Sequence, residues 1–268
     1  MKKNKFPSDR QAAIQRKILL EGSVSVEALV SEFDVSLATI RRDLTFLEQQ
    51  GMARRTHGGA TSLVQHGADQ AFAQREQVDS EAKSMIARAA FNLVKSDQTL
   101  FMNDGTTVLA LAREIVASDM PLTLVTPGVN IATALSANTA LIAYLAGGLV
   151  RHKTLGTSGD FTEQMLSFFN ADTAFIAAEG FTVNDGLTYS YEADAKIARI
   201  MKAKAVQTVI LAAERKLDQR DRITAFPAAE ANVLITDCQD EKKLSAFRDS
   251  GIEIVTAKPR HLAVVDQY

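Results

Sequence analysis

The chain has 268 residues, 46% hydrophobic and 23% charged, which is typical of a globular protein and suits one small and one medium domain better than a single core. Its net charge of -2 excludes a protein that coats nucleic acid over its whole surface, so any such contact must come from a local patch. The single cysteine cannot form an internal disulfide, and Pro and Gly interrupt the longest uncharged stretch, residues 120–150, so we expect a cytoplasmic protein without a membrane span.

The first sixty residues predict three helices followed by a short basic hairpin. Apolar residues recur at helical spacing over residues 9–20, 26–33 and 37–49. Ser36 is a suitable N-cap for the third helix. The following segment, MARRTHGGA at residues 52–60, has the pattern of a strand, a basic tip and a glycine turn. Together these elements predict a winged helix-turn-helix.

This arrangement suits double-stranded operator DNA. A recognition helix enters the major groove with its N-terminal side chains near the bases, while basic groups nearby neutralise phosphates. Residues 1–60 carry ten Lys or Arg against seven Asp or Glu, a local charge of +3. The residues predicted to contact the groove or its phosphates are Ser36, Thr39 and Arg42, and those predicted to contact the flanking backbone are Arg41, Arg54, Arg55 and His57. The alternative is a three-helix lobe with a solvated charged face.

Beyond a polar linker the pattern alternates between helix and strand, which predicts an α/β fold with a mostly parallel sheet. We therefore divide the chain into a winged helix-turn-helix domain (1–61), a linker (62–78) and an α/β domain for effector sensing and oligomerisation (79–268). The predicted helices are 81–94, 107–117, 130–135, 160–169, 194–203 and 242–249. The predicted strands are 99–103, 122–126, 141–145, 173–178, 206–212, 233–236 and 253–257.

Three loops at the predicted carboxyl edge of this sheet have the composition of a ligand site, and this edge is where such sheets bind ligands. Asn103–Thr107 follows a strand and opens a helix, so its backbone N–H groups and hydroxyls are suited to cradle an anion. Thr126–Gly128 and Gly147–Gly148 end the next two strands. Taken alone, the Asn103–Thr107 loop also fits an ordinary turn with a helix cap, but three such loops at one edge favour a ligand site.

The segment from Val24 to Ala60, VSVEALVSEFDVSLATIRRDLTFLEQQGMARRTHGGA, resembles the DNA-binding domain of the DeoR family of bacterial transcription regulators. The resemblance extends to about residue 257 through DGTT at 104–107, Thr126, the Gly147–Gly148 pair with Arg151, and Lys216. It implies a C-terminal domain similar in fold to ribose 5-phosphate isomerase that senses phosphorylated sugars. The effector site it implies comprises Asp104, Gly105, Thr106, Thr107, Thr126, Gly147, Gly148 and Lys216, with Glu192 as a hydroxyl partner.

The chain departs from the family pattern inside this site. Ala213, Glu214 and Arg215 precede Lys216 where the family has an Asp-Ser-Ser-Lys type sequence, and Pro127 follows Thr126 where Thr-Asn-Ser is common. These differences leave open which effector binds and whether it carries a phosphate.

The sequence thus predicts a repressor of a carbohydrate-metabolism operon, released from DNA by a phosphorylated sugar or related metabolite. We expect a homodimer or homotetramer, because specific DNA binding usually uses symmetric half-sites. We expect no catalytic residue and no cofactor, and no metal site, because the four histidines are scattered. Two alternatives stay open: a second domain that only oligomerises, and an isomerase-like enzyme using Glu179, Asp185, Glu192 and Lys216.

Overall fold

The computed structural model describes residues 7–21, 23–50, 52–56, 58–61 and 72–258. The chain divides into two compact units, Met1–Val78 and Asp79–Tyr268. Within these described ranges, no helix is long and apolar enough to cross a bilayer.

The first unit is a winged helix-turn-helix, as predicted. Its elements are α1 (Pro7–Glu21), β1 (Ser23–Ser25), α2 (Val26–Phe33), α3 (Leu37–Gln49), β2 (Arg54–Thr56), β3 (Gly59–Thr61) and α4 (Phe72–Gln77). Strand β3 pairs antiparallel with both β1 and β2. Helix α4 lies in the segment interpreted as a linker from its polar composition, and its first residue, Phe72, is buried.

A small apolar core holds this unit together, with Ile14 and Ile18 from α1 against Leu29, Ile40 and Leu44. The helices are capped locally: the Ser25 hydroxyl accepts from Ala28 N at 3.1 Å, and Asp34 ends α2 with a φ of 52°, a region that Asp tolerates.

A buried ion pair also joins α1 to α3. Arg10 Nε donates to Asp43 Oδ2 at 2.6 Å, and Gln11 Nε2 donates to Asp43 Oδ1 at 2.9 Å. Both charged side chains are less than a tenth exposed. Asp43 therefore forms an ion pair inside the unit, although it belongs to the sequence TIRRDL at residues 39–44.

The second unit is built on a seven-stranded parallel sheet in the order β15-β14-β12-β9-β4-β5-β6. The sheet strands are β4 (Thr99–Met102), β5 (Leu122–Thr126), β6 (Leu141–Leu145), β9 (Ala171–Ala177), β12 (Ala205–Leu211), β14 (Val233–Thr236) and β15 (Glu253–Thr256). The helices are α5 (Ser80–Phe91), α6 (Thr106–Val116), α7 (Val129–Leu135), α8 (Asp160–Phe168), α9 (Glu192–Lys204) and α10 (Glu241–Asp249). This confirms the predicted fold class, and central strands such as AFIA and TVIL are buried as such sheets require.

Two antiparallel additions were absent from the prediction. The hairpin of β7 (Leu149–Arg151) and β8 (Gly156–Ser158) follows β6, and a three-stranded sheet contains β10 (Gly180–Thr182), β11 (Gly186–Tyr189) and β13 (Ile223–Phe226). Strands of three or four residues are too short to show a clear period of two, so their pairing depends on tertiary context.

Candidate functional site

The N-terminal end of α3 presents an exposed polar surface. Ser36 caps the helix, its hydroxyl accepting from Thr39 N at 3.2 Å and lying 2.9 Å from Thr39 Oγ1. Arg41 and Arg42 are exposed, while Ile40, Asp43, Leu44 and Leu47 are buried on the opposite face. The helix therefore turns its two adjacent guanidinium groups outward from a fixed start, as a recognition helix requires.

The two wing arginines have different surroundings. Arg54 is exposed, whereas Arg55 is partly buried and directed at α3. Arg55 Nη1 donates to Thr45 Oγ1 at 3.2 Å, and Arg55 N donates to Glu48 Oε1 at 3.0 Å. Arg55 thus links the wing to α3 in addition to adding positive charge. His57, predicted at the tip, lies outside the described residues.

The wing depends on a glycine at its base. A Cβ at Gly59 would lie 1.8 Å from the carbonyl oxygen of Val24, so β1 and β3 approach as closely as they do only without a side chain there. A Cβ at Gly58 would meet no atom within 4 Å.

In the second unit, the loop after β4 is fixed against β9. Asn103 Nδ2 donates to Ala177 O at 3.2 Å, and Asn103 Oδ1 accepts from Ala177 N at 2.9 Å. A Cβ at Gly105 would lie 2.3 Å from Ala177 Cβ, so this close packing needs glycine. Gly105 is also the N-cap residue of α6, which leaves the first backbone N–H groups of that helix without a side-chain cap at the carboxyl edge of the sheet.

Asp104, in the same loop, binds Arg151 from the β7–β8 hairpin. Arg151 Nη2 donates to Asp104 Oδ2 at 2.9 Å, and Arg151 Nη1 donates to Asp194 Oδ2 at 2.8 Å. Arg151 Nη2 also donates to Asp194 Oδ1. One guanidinium thus bridges two carboxylates, one from the loop after β4 and one from α9. Arg151 belonged to the family pattern, but nothing in the sequence indicated Asp194 as its partner.

Negative charge is concentrated around this bridge. Burial raises the pKa of Asp194 to about 6, helped by the charges of Asp104 and Glu179 and opposed by Arg151. Burial also raises the pKa of Tyr189 well above its usual value, and the same three carboxylates add to this. Tyr189 Oη donates to Ala177 O at 3.1 Å. Asp104 and Asp194 therefore share the Arg151 guanidinium, with the charge of Glu179 near Asp194.

The remaining predicted effector residues are spread along the edge. Thr126 is fully buried, and its hydroxyl accepts from Gly128 N at 3.0 Å, which shapes the turn after β5. Gly147 and Gly148 are exposed and flank Thr162, whose hydroxyl donates to Gly147 O at 2.7 Å.

The last two predicted effector residues, Glu192 and Lys216, belong to other elements of the second unit. Glu192 is exposed at the first position of α9. Lys216 follows β12, two strands from β4, a separation of about 10 Å. The structure thus joins Asp104, Gly105 and the Thr126 turn closely, and sets Lys216 apart from them.

Within the described residues, no group of three His, Cys, Asp or Glu side chains is placed to hold a metal ion. The carboxylates discussed above are engaged by other groups: Asp104 and Asp194 by Arg151, and Glu179 by Ser190 N at 2.8 Å. The edge therefore has the chemistry of a polar binding site.

Comparison with known proteins gives matches to both units. Residues 10–66 match the DeoR-like helix-turn-helix domain, and residues 78–238 match the DeoR C terminal sensor domain. The HTH-type transcriptional regulator GolR of Listeria innocua is 31% identical over 254 residues, covering 94% of this chain and 100% of GolR. The lactose phosphotransferase system repressor of Streptococcus mutans is 30% identical over 239 residues, covering 88% of this chain and 94% of the repressor.

Solved structures match part of the chain at low sequence identity. The ribose 5-phosphate isomerase A of Neisseria gonorrhoeae is 13% identical, with a TM-score of 0.39, and the match covers 55% of each chain.

Proposed function

Because the chain belongs to the DeoR family of transcription regulators, we propose that it represses a carbohydrate-metabolism operon and is released from its operator by a phosphorylated sugar or related metabolite. It is a DNA-binding regulator with a sensor domain. The sugar-operon assignment is supported by relatives such as the lactose phosphotransferase system repressor of Streptococcus mutans.

The observation that carries the DNA half of this proposal is the exposed face of α3. Arg41 and Arg42 stand side by side on the solvent face of a helix whose start is fixed by Ser36 and Thr39. In an acidic chain of net charge -2, this basic face is the local patch that DNA binding requires. Arg54 on the wing adds a further exposed positive charge.

The effector half is supported by the loops at the carboxyl edge of the parallel sheet. The uncapped N-terminus of α6 offers backbone donors to an anion, and of its first two side chains Thr106 is half-buried and Thr107 buried. The exposed Gly147–Gly148 turn follows β6, two strands from β4. Glu192 and Lys216 stay predictions for the hydroxyl and phosphate ends of the effector. We propose no catalysis: of the carboxylates named as an isomerase's base, Glu179 accepts from Ser190 N and Asp185 pairs with Arg220.

A homodimer or homotetramer is supported by an exposed apolar surface near one edge of the sheet. Edge strand β6 exposes Ile142 and Tyr144, the following hairpin exposes Leu149, and α8 exposes Phe161 and Phe168. Large apolar side chains exposed on successive elements of the chain are a feature of interaction sites. Light scattering is expected to give a mass above that of one chain, reduced by Phe161→Glu.

The effector proposal is tested by thermal unfolding of the full chain against a panel of phosphorylated and free sugars. A ligand at about a hundred times its dissociation constant stabilises the folded state by ~2.7 kcal/mol. We expect one phosphorylated sugar to raise the midpoint in the wild type and in Asp172→Asn. We expect Asp104→Asn to abolish that shift.

Asp172 is the matched control because it lies at the start of β9, at the opposite edge of the sheet, where it accepts from Thr99 N. The same sugar is then added to protein bound to an operator selected from random duplex DNA, with release followed by fluorescence anisotropy. By reciprocity, DNA must weaken the sugar by the same factor as the sugar weakens DNA. Equal sugar affinity with and without operator would contradict regulation by that sugar, and conversion of ribose 5-phosphate would favour the enzyme.

A further inference from the structure

Arg151 is the cation of the loop edge, and its hydrogen bonding is incomplete. Its Nη1 and Nη2 atoms donate three hydrogen bonds to Asp104 and Asp194. Its Nε is buried, and within the part of the chain that the structure describes this atom has no hydrogen-bond partner. A guanidinium presents five N–H donors in a fixed fork, and a buried donor without an acceptor is costly. The site therefore satisfies Arg151 incompletely with the groups that the protein itself supplies.

The two carboxylates that share Arg151 are not equally fixed. Asp104 lies in a tight loop: a Cβ at Gly156 would lie 2.0 Å from Asp104 Oδ2, and a Cβ at Gly128 would lie 3.3 Å from Asp104 Cα. Asp194 comes from the first turn of α9, on the other side of the guanidinium. Asp194 is therefore the partner that can leave Arg151 without opening the loop.

The surroundings of Asp194 favour its protonation once it leaves. The groups that face it are Arg151 from β7, Asp104 after β4, Glu179 after β9 and Tyr189 on β11. Helix α8, which packs on α9, contributes Glu163, and that carboxylate pairs with Lys196 at 2.6 Å. Arg151 is the one cation among the groups that the structure places against Asp194, and burial and the two carboxylates already raise the Asp194 pKa to about 6.

We propose that Arg151 is the anion-binding residue of the effector site and that Asp194 occupies it in the free protein, so that a dianionic group of the effector replaces Asp194 as this residue takes up a proton from solvent. The inference rests on the proposed function and names the chemistry at that site: a phosphate or similar dianion, bound with a proton. The carboxylates of Glu179 and Asp104 flank this position, which disfavours an anion everywhere except at the guanidinium.

The test uses inorganic sulfate and the full chain, because sulfate keeps its double charge across the neutral range and any pH dependence then belongs to the protein. Affinity is measured by calorimetry at constant ionic strength, with chloride as the balancing salt. Wild type is expected to lose about tenfold in sulfate affinity per pH unit above about pH 6.5, and to change little below about pH 5.5. Near pH 7.5, buffers of different ionisation enthalpy are expected to report uptake of about one proton.

The variants separate the proposal from simple misfolding. Asp194→Asn is expected to bind sulfate about 30-fold more tightly than wild type near pH 7.5 and without pH dependence, a gain that an unfolded chain does not give. Arg151→Gln is expected to abolish binding, Arg151→Lys to weaken it, and Asp172→Asn to behave as wild type. Sulfate binding that survives in Arg151→Gln, or that keeps its pH dependence in Asp194→Asn, would overturn the proposal.

The outcome is distinguishable from failure of the proposed function. If the sulfate results hold but no phosphorylated sugar releases the operator, the anion site stands and the proposed effector class is wrong. If a phosphorylated sugar releases the operator equally from wild type and Arg151→Gln, regulation stands and this assignment of Arg151 is wrong.

Discussion

Replacing Asp43 with Ala is expected to unfold the helix-turn-helix unit while leaving the sensor domain folded. The change leaves Arg10, which is 5% exposed, as a buried charge without its carboxylate. Breaking one side of a buried pair costs about 3 to 5 kcal/mol. A unit spanning Met1–Val78 has a total stability of only about 4 to 12 kcal/mol at the usual value per residue. The loss is therefore a large fraction of the stability of the whole unit.

Urea unfolding with two probes locates the effect. All four tyrosines, at positions 144, 189, 191 and 268, lie in the second unit, so tyrosine fluorescence reports the sensor domain and far-ultraviolet circular dichroism reports both units. Only the dichroism is expected to change at low urea. The double variant Arg10→Met with Asp43→Leu is expected to recover most of the loss, because an apolar pair can replace a buried ion pair. Asp34→Asn, at an exposed position that Asn also tolerates, is the control. A cost below about 1 kcal/mol for Asp43→Ala, or a double variant no better than the single, would refute the reasoning.

Three further changes test the head and the sensor. Arg42→Ala is expected to lower operator affinity by about 1 to 3 kcal/mol if this residue contacts a base, or to reduce the salt slope by about one if it contacts a phosphate, and unchanged binding in a salt titration would contradict the placement of α3. Gly59→Ala is expected to lower operator affinity and the thermal midpoint, because its Cβ would lie 1.8 Å from Val24 O, whereas Gly58→Ala is the control with nothing within 4 Å. Since the folded-state pKa of Asp194 is raised to about 6 from 3.8, the folded state binds this proton more tightly, and stability is expected to fall by about 3 kcal/mol as pH rises from about 4 to 6. Asp194→Asn is expected to remove this fall from the profile of unfolding free energy against pH. Identical profiles for the wild type and the variant would contradict a raised pKa of Asp194.

The sequence was sufficient for the elements that carry a clear period or cap. The bounds predicted for α2 and α3 are those observed, because Ser36 and the αL residue Asp34 mark their ends chemically. The parallel strands β5, β6 and β14 were also predicted at their observed bounds, since each is an apolar run beside a turn. Local signals of this kind need no knowledge of the partner strand.

The site was harder to predict because its contacts join residues far apart in the chain. Asp194 reaches Arg151 across 43 positions and Arg10 reaches Asp43 across 33. A pattern on one helix shows which residues share a face, but it does not show which loop or helix will pack against that face. For this reason the sequence did not indicate Arg10 as the partner of Asp43, or Arg151 as the partner of Asp194.

The β7–β8 hairpin connects the two halves of the proposed mechanism. Its strand β7 carries Arg151 towards Asp104 and Asp194, and the preceding residues Leu149 and Val150 are exposed on the surface that we propose as a subunit contact. In the proposed mechanism, a guanidinium that changes its partner from Asp194 to an effector anion alters the anchoring of this short strand and of those apolar side chains. A coupling free energy requires such differential binding: in the proposed mechanism the effector favours one arrangement of the hairpin and the operator-bound form favours the other. Regulation then needs no separate relay between the effector site and the subunit contact, since one strand belongs to both.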